Sequence, residues 1–138
     1  MTAKQYLDQI RNYERRIERI NEEIERLEAV ATNTSPSLTG MPHNPRPTTS
    51  RLEEAVIKIL DKEMELKQEK EKLEALRKEA TAMIAQIESP DERDVLYKRY
   101  IESKTWEDII IEMYVSRATI FRLHSQALKH CKVPEFET

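Results

Sequence analysis

The chain has 138 residues and a net charge of −3, with 36% charged and 38% apolar residues. A single glycine argues against sheet folds, which need glycine in their turns. One cysteine cannot form an internal disulfide, which favours a reducing cytosolic setting. We find no run of about 18 apolar residues and no apolar signal region, so we expect no membrane partner. The composition predicts an all-α, cytoplasmic protein.

The first segment, residues 1–31, is predicted to be a coiled-coil helix. Its apolar residues alternate spacings of four and three, which is the seam of a heptad repeat. Thr2 and Gln5 form a capping box at its start. The seam residues are Tyr6, Ile10, Tyr13, Ile17, Ile20, Ile24 and Leu27.

Residues 32–50 interrupt this pattern, because Pro, Gly, Ser, Thr and Asn make up 15 of these 19 residues. Such a stretch buries too little apolar surface to offset the entropy of ordering it, so we interpret it as a flexible linker.

A second long coiled-coil helix is expected over residues 51–88, beginning at a capping box of Ser50 and Glu53. Two helices with matching apolar stripes and a flexible link predict a long antiparallel coiled-coil hairpin. Homo-oligomerisation through the same surfaces is the alternative that the pattern leaves open. Val56 and Leu60 widen the apolar stripe of this helix. The stripe itself consists of an apolar residue at every seventh position: Leu52, Ile59, Leu66, Leu73, Ala80 and Ile87.

The segment 89–138 differs in pattern and predicts three short helices. Ser89, Thr105 and Ser116 each precede a helix-like stretch, and Pro90 fits the first turn of the first of them. Their expected core consists of Leu96, Tyr100, Trp106, Ile109, Ile110, Met113, Val115, Ile120, Leu123, Ala127 and Leu128.

The last two of these helices match the plan of a helix-turn-helix DNA-binding motif. A short helix, a three-residue break and a serine-capped basic helix follow one another, and no acid occurs from Ser116 to Lys132. Arginine pairs with guanine through two hydrogen bonds, and Thr or Phe can touch a thymine methyl group. The positions expected to face DNA bases are Arg117, Ala118, Thr119, Phe121, Arg122 and Ser125. The positions expected to contact phosphates are Lys104, Ser116, Lys129 and Lys132.

The stretches from Leu96 to Ile109 and from Val115 to Arg122, with Ala127 and Leu128, resemble region 4 of bacterial sigma factors. The chain is also similar to phage-encoded regulators of the RinA and ArpU type, in which a charged coiled coil precedes such a domain. The resemblance implies a region 4-like fold, a cytoplasmic location in a bacterial host, phage or prophage origin and a role in transcription. This sequence has Tyr114 where the family usually has glycine, so Tyr114 must accept or avoid a left-handed backbone.

These observations predict a sequence-specific, DNA-binding transcriptional regulator whose partners are double-stranded DNA and RNA polymerase. Two alternatives stay open: a DNA-packaging protein similar to a terminase small subunit, and an adaptor that binds polymerase or a sigma factor without touching DNA. Carboxylates show no acid–base pairing context and zinc-type ligand spacings are lacking, so we expect no enzyme activity, metal, cofactor or small-molecule substrate. The sequence leaves open the DNA site and the sign of regulation.

Overall fold

The computed structural model describes residues 1–32 and 45–133, excluding the side chains of 45–49, and these residues form helices without any strand. The predicted all-α class is therefore confirmed. None of the described helices is long and apolar enough to span a membrane. The elements are α1 (Ala3–Thr32), α2 (Pro45–Ala85), α3 (Pro90–Leu96) continuing as a π-helical turn (Tyr97–Ile101), α4 (Trp106–Met113) and α5 (Arg117–His130).

The long helices α1 and α2 run antiparallel, as the heptad pattern predicts. Residues 1–14 belong with those from Lys72 onward to one compact unit, and Arg15–Glu71 forms a second unit. In the second unit, Arg16 pairs with Glu69 at 3.8 Å and Glu23 pairs with Lys62 at 2.9 Å. Residues later in α1 therefore contact residues earlier in α2, as in an antiparallel pair of helices.

Helix α2 begins six residues before the predicted Arg51, at Pro45. The first four N–H groups of a helix have no intrahelical acceptor, so prolines at its first and third positions remove no hydrogen bond. Ser50 lies inside the helix and does not cap it. The predicted linker is therefore wrong for residues 45–50, and its residues 33–44 lie outside the described part of the chain. Helix α2 ends at Ala85 rather than at Glu88.

The seven-residue repeat of α2 is buried only along part of its length. Leu73 and Ala80 are buried, as is Ile87 just beyond the end of α2, and Ile59 and Leu66 are half-buried. Leu52, Val56 and Leu60 were expected to share the seam, yet each is more than 40% exposed. The N-terminal turns of α2 therefore carry more apolar surface than α1 covers.

The three predicted C-terminal helices and their caps are present. The Ser89 hydroxyl accepts a hydrogen bond from the Glu92 amide at 3.4 Å, and Pro90 occupies the first helical position. The expected core is largely correct, although its centre includes Val95, which the prediction omitted. Val95, Ile109 and Ile120 are all fully buried and pack against half-buried Trp106, Ile110, Met113, Val115 and Leu123.

The first turns of α1 are part of the same compact unit as the C-terminal helices. Tyr6, Leu7 and Ile10 are each at most 1% exposed. The Tyr6 hydroxyl donates to Glu79 Oε1 at 2.6 Å, and burial together with this carboxylate raises the pKa of Tyr6. The three C-terminal helices therefore form a compact unit together with the first turns of α1.

Candidate nucleic-acid interface

Local signals fix the two helices of the helix-turn-helix and the turn between them. The Thr105 hydroxyl accepts from the Asp108 amide at 3.2 Å, and the Ser116 hydroxyl accepts from the Thr119 amide at 3.2 Å. Between these caps, Tyr114 adopts φ 56° and ψ 40°, the left-handed conformation that usually favours glycine. The tyrosine therefore accepts the left-handed backbone.

Burial fixes which side of α5 can meet a ligand. Ile120 and Ala127 are fully buried, and Cys131 continues the same side of the helix. At 100° per residue, the opposite side consists of positions 118, 122, 125 and 129. All four of these side chains are exposed: Ala118, Arg122, Ser125 and Lys129.

The outer face of α5, defined by these four residues, has cations without acids. Arg122 and Lys129 have no ion pair among the described residues, and Lys132 beyond them is also exposed. Ala118 and Ser125 are short side chains that leave the helix backbone accessible. The face therefore combines positive charge with room for close approach by a large anionic surface.

Three of the predicted base-facing residues have partners within the protein. Arg117 Nη2 lies 3.3 Å from Glu107 Oε1 of α4, and both side chains are more than half exposed. Solvent screens an exposed pair of this kind, so Arg117 can exchange it for another anion. Thr119 is half-buried and its hydroxyl lies 2.9 Å from that of Ser116. The Phe121 ring is 40% exposed and packs on Trp106, with ring centroids 5.1 Å apart.

Of the four residues predicted to contact phosphates, three are exposed and one, Lys104, is paired with acidic residues of the protein. Ser116, Lys129 and Lys132 are exposed. Lys104 instead lies before α4, where Glu112 and Glu102 bind its ammonium group. The hydrogen bond that the Lys104 ammonium donates to the Glu112 carboxylate raises the pKa of Lys104. Its charge is therefore neutralised locally, unlike that of Lys129.

An aromatic cluster, which sequence reasoning missed, supports α5 from the side. The cluster consists of Tyr100, Trp106, Phe121 and His124. The Trp106 and His124 ring centroids lie 4.9 Å apart with the rings nearly perpendicular, and the Arg99 guanidinium lies 4.4 Å above the Trp106 ring. Tyr100 Oη and His124 Nε2 are 2.8 Å apart. Burial raises the pKa of Tyr100 to about 12 and lowers that of His124 to about 4, so both side chains are neutral at pH 7.

A second missed feature is the link between α1 and the corner that precedes α4. Ser103 has φ 57°, and its hydroxyl donates to the Glu14 carboxylate, with Oγ 2.7 and 2.8 Å from the two oxygens. Arg77 of α2 donates to the same carboxylate at 3.1 Å. Glu14 thus joins α1, α2 and the helix-turn-helix. A sequence separation of 89 residues between Ser103 and Glu14 left no local signal for this contact.

His124, His130 and Cys131 each have different surroundings in the structure. His130 Nδ1 lies 3.0 Å from a carboxylate oxygen of Glu92, which is buried, whereas His124 contacts Tyr100. Cys131 is buried, and burial raises the pKa of its thiol. No three potential metal ligands lie together within residues 1–32 and 45–133.

The segment that contains the helix-turn-helix matches a known protein family. A family described as "Protein of unknown function (DUF1492)" matches residues 53–132, more than half of the chain. The chain belongs to the DUF1492 family. No curated protein and no solved structure matches it. The DUF1492 segment contains most of α2 and all of α3, α4 and α5, so every candidate interface residue lies inside it.

Proposed function

We propose that this DUF1492 protein is a sequence-specific DNA-binding regulator of transcription that inserts α5 into the major groove. The observation that carries the proposal is the outer face of α5, which is exposed, cationic and free of acids on a helix-turn-helix support. A DNA major groove admits one α-helix, and a helix capped by Ser116 directs its first amides toward a phosphate.

The proposal gives the residues of this face different roles. Arg122 lies in the second turn of α5 and is long enough to donate two hydrogen bonds to guanine. Ala118 and Ser125 allow the helix to approach base edges closely. Lys129 and Lys132, farther along the helix, supply phosphate contacts that add affinity without sequence choice.

We further propose that the helix-turn-helix is of the sigma region 4 type, in a regulator of the RinA and ArpU kind encoded by a phage or prophage. The order of a Thr105 cap, α4, a left-handed turn residue and a Ser116 cap supports this finer assignment. The assignment adds the bacterial cytoplasm as the location and RNA polymerase as a second partner.

The test is selection of binding sites from a pool of random duplexes by the full chain and by Arg122→Ala. We expect the substitution to weaken binding to the selected site by about 1–3 kcal/mol and to relax one base position. Arg26→Ala, which removes an exposed charge from α1, is the matched control and should leave the selected site unchanged. An Arg122→Ala protein that selects the same site with the same affinity would contradict the proposal.

A protein-docking role is the second candidate, because α4 and the turn expose two large apolar side chains. Ile111 is 68% and Tyr114 is 93% exposed. Salt separates the two candidates: DNA binding should weaken steeply as salt rises, since phosphate contacts release counterions. Docking through Ile111 and Tyr114 should change little with salt.

A further inference from the structure

The second compact unit carries an apolar stripe on α2 that faces away from α1. Leu52, Val56, Leu60 and Met64 recur every four residues, and Ile57 lies beside them. These five side chains are between 41% and 64% exposed. Ala55, which is buried, and Leu66, which is half-buried, lie on a different side of the helix from Leu60. Contiguous apolar patches of this kind on a protein surface mark an interaction site.

Two opposite charges lie at equal distances along α2 from Leu60, one toward each end of the helix. Glu53 lies seven residues before Leu60 and Lys67 lies seven residues after it, so both share the face of Leu60. Both are exposed and neither has an ion pair among the described residues. If a second copy of the helix packs antiparallel about Leu60, the acidic residue of each copy lies opposite the basic residue of the other.

The midpoint also decides the register. A two-fold axis at Leu60 places Glu53 of each copy opposite Lys67 of the other, and Val56 opposite Met64. An axis at position 58 would instead bring Glu53 toward Glu63 of the other copy, which is unfavourable because like charges repel across an interface. Of these two axes, the Glu53–Lys67 pairing favours the one at Leu60.

We infer that the occupant of the α2 stripe is a second copy of this chain, bound antiparallel about a two-fold axis at Leu60. The interface is isologous, so each copy contributes the same apolar residues and the same two charges. It differs from the α1–α2 seam, which each chain completes within itself.

The first experiment measures the mass of the full chain by light scattering or sedimentation at about 100 μM. We expect a dimer, at twice the chain mass of 16.3 kDa, and a monomer for Leu60→Glu, which brings two carboxylates together at the axis. Ile111→Glu makes the same change at an exposed isoleucine of α4 and should stay dimeric. Since Leu60 is 55% exposed, its substitution should preserve helicity measured by circular dichroism.

The second experiment tests the axis by exchanging charges. Glu53→Lys alone should raise the dimer dissociation constant about tenfold, since two attractive pairs become repulsive. Adding Lys67→Glu to the same chain restores both pairs and should restore the wild-type constant. A monomeric wild type, which would mean that the chain's own residues cover the stripe, overturns the inference. So do rings of more than two copies, a Leu60→Glu dimer, or a double exchange no better than the single one.

Discussion

At the level of single residues, Tyr114 combines an unfavourable backbone with a side chain that packs against almost nothing. Its φ of 56° costs about 1 kcal/mol for a residue with a Cβ atom, and its side chain is 93% exposed. The sequence alone posed the choice between accepting and avoiding this conformation, because glycine is the usual residue there. Tyr114 adopts the left-handed conformation because the caps at Thr105 and Ser116 fix the helices on either side of the turn.

Tyr114→Gly should therefore stabilise the fold by about 0.5–1 kcal/mol, since glycine adopts this conformation without strain. Tyr114→Val should destabilise it, because a β-branched side chain tolerates positive φ poorly. Urea unfolding of both variants measures the two effects. A glycine variant no more stable than the wild type would show that the turn is unstrained.

His124 gives the fold a pH dependence of definite sign. Its pKa falls from 6.5 to about 4 in the folded protein because burial disfavours the charged ring. The unfolded chain therefore binds more protons between these two values, so the free energy of unfolding decreases as pH falls from 6.5 to 4. Chemical denaturation at pH 7, 5.5 and 4 should show a flatter profile for His124→Gln than for the wild type. Parallel profiles would exclude His124 as a source of the decrease.

At the level of elements, the sequence predicted what local chemistry decides. Ser89, Thr105 and Ser116 begin the helices they were expected to begin, because capping depends on residues within one turn. The start of α2 was mispredicted, since Ser50 and Glu53 resemble a cap but the helix already runs through them. Val95 was missed because it lies beside Leu96, and the sequence does not say which neighbour faces which helix.

The Ser116 cap allows stability and DNA affinity to be separated. Ser116→Ala should lower the free energy of unfolding by about 1 kcal/mol, because the Thr119 amide loses its acceptor. Ser116→Asp keeps an acceptor and should unfold like the wild type. The aspartate should nevertheless weaken DNA binding, since it places a negative charge where a phosphate is expected. Thermal melts and DNA titrations of both variants check this, and an Asp variant with full DNA affinity would remove Ser116 from the interface.

At the level of the whole molecule, the role of α1 was only partly foreseen. The heptad seam predicted a partner helix, and α2 is that partner. No pattern in the sequence indicated that Tyr6, Leu7 and Ile10 would be buried in the unit that holds the helix-turn-helix. Contacts between residues so distant along the chain depend on three-dimensional packing, which periodicity does not encode.

The buried start of α1 predicts that changes there destabilise the helix-turn-helix. Leu7→Ala should cost about 2–5 kcal/mol, because Leu7 is fully buried, whereas Val30→Ala at a 49% exposed site should cost far less. Trp106 is the one tryptophan of the chain and lies in α4, so its fluorescence reports unfolding of that domain. An unchanged Trp106 transition in Leu7→Ala would show that α1 does not support the domain.

Photo-crosslinking tests the DNA-binding role of α5 most directly. A photoreactive amino acid replaces Ser125 on the outer face of α5, or Asn21, an exposed polar residue of α1, in the full chain bound to a selected duplex. We predict crosslinks from position 125 to bases of the selected site and none from position 21. Retained DNA binding with no crosslink from position 125 would contradict insertion of α5 into the groove.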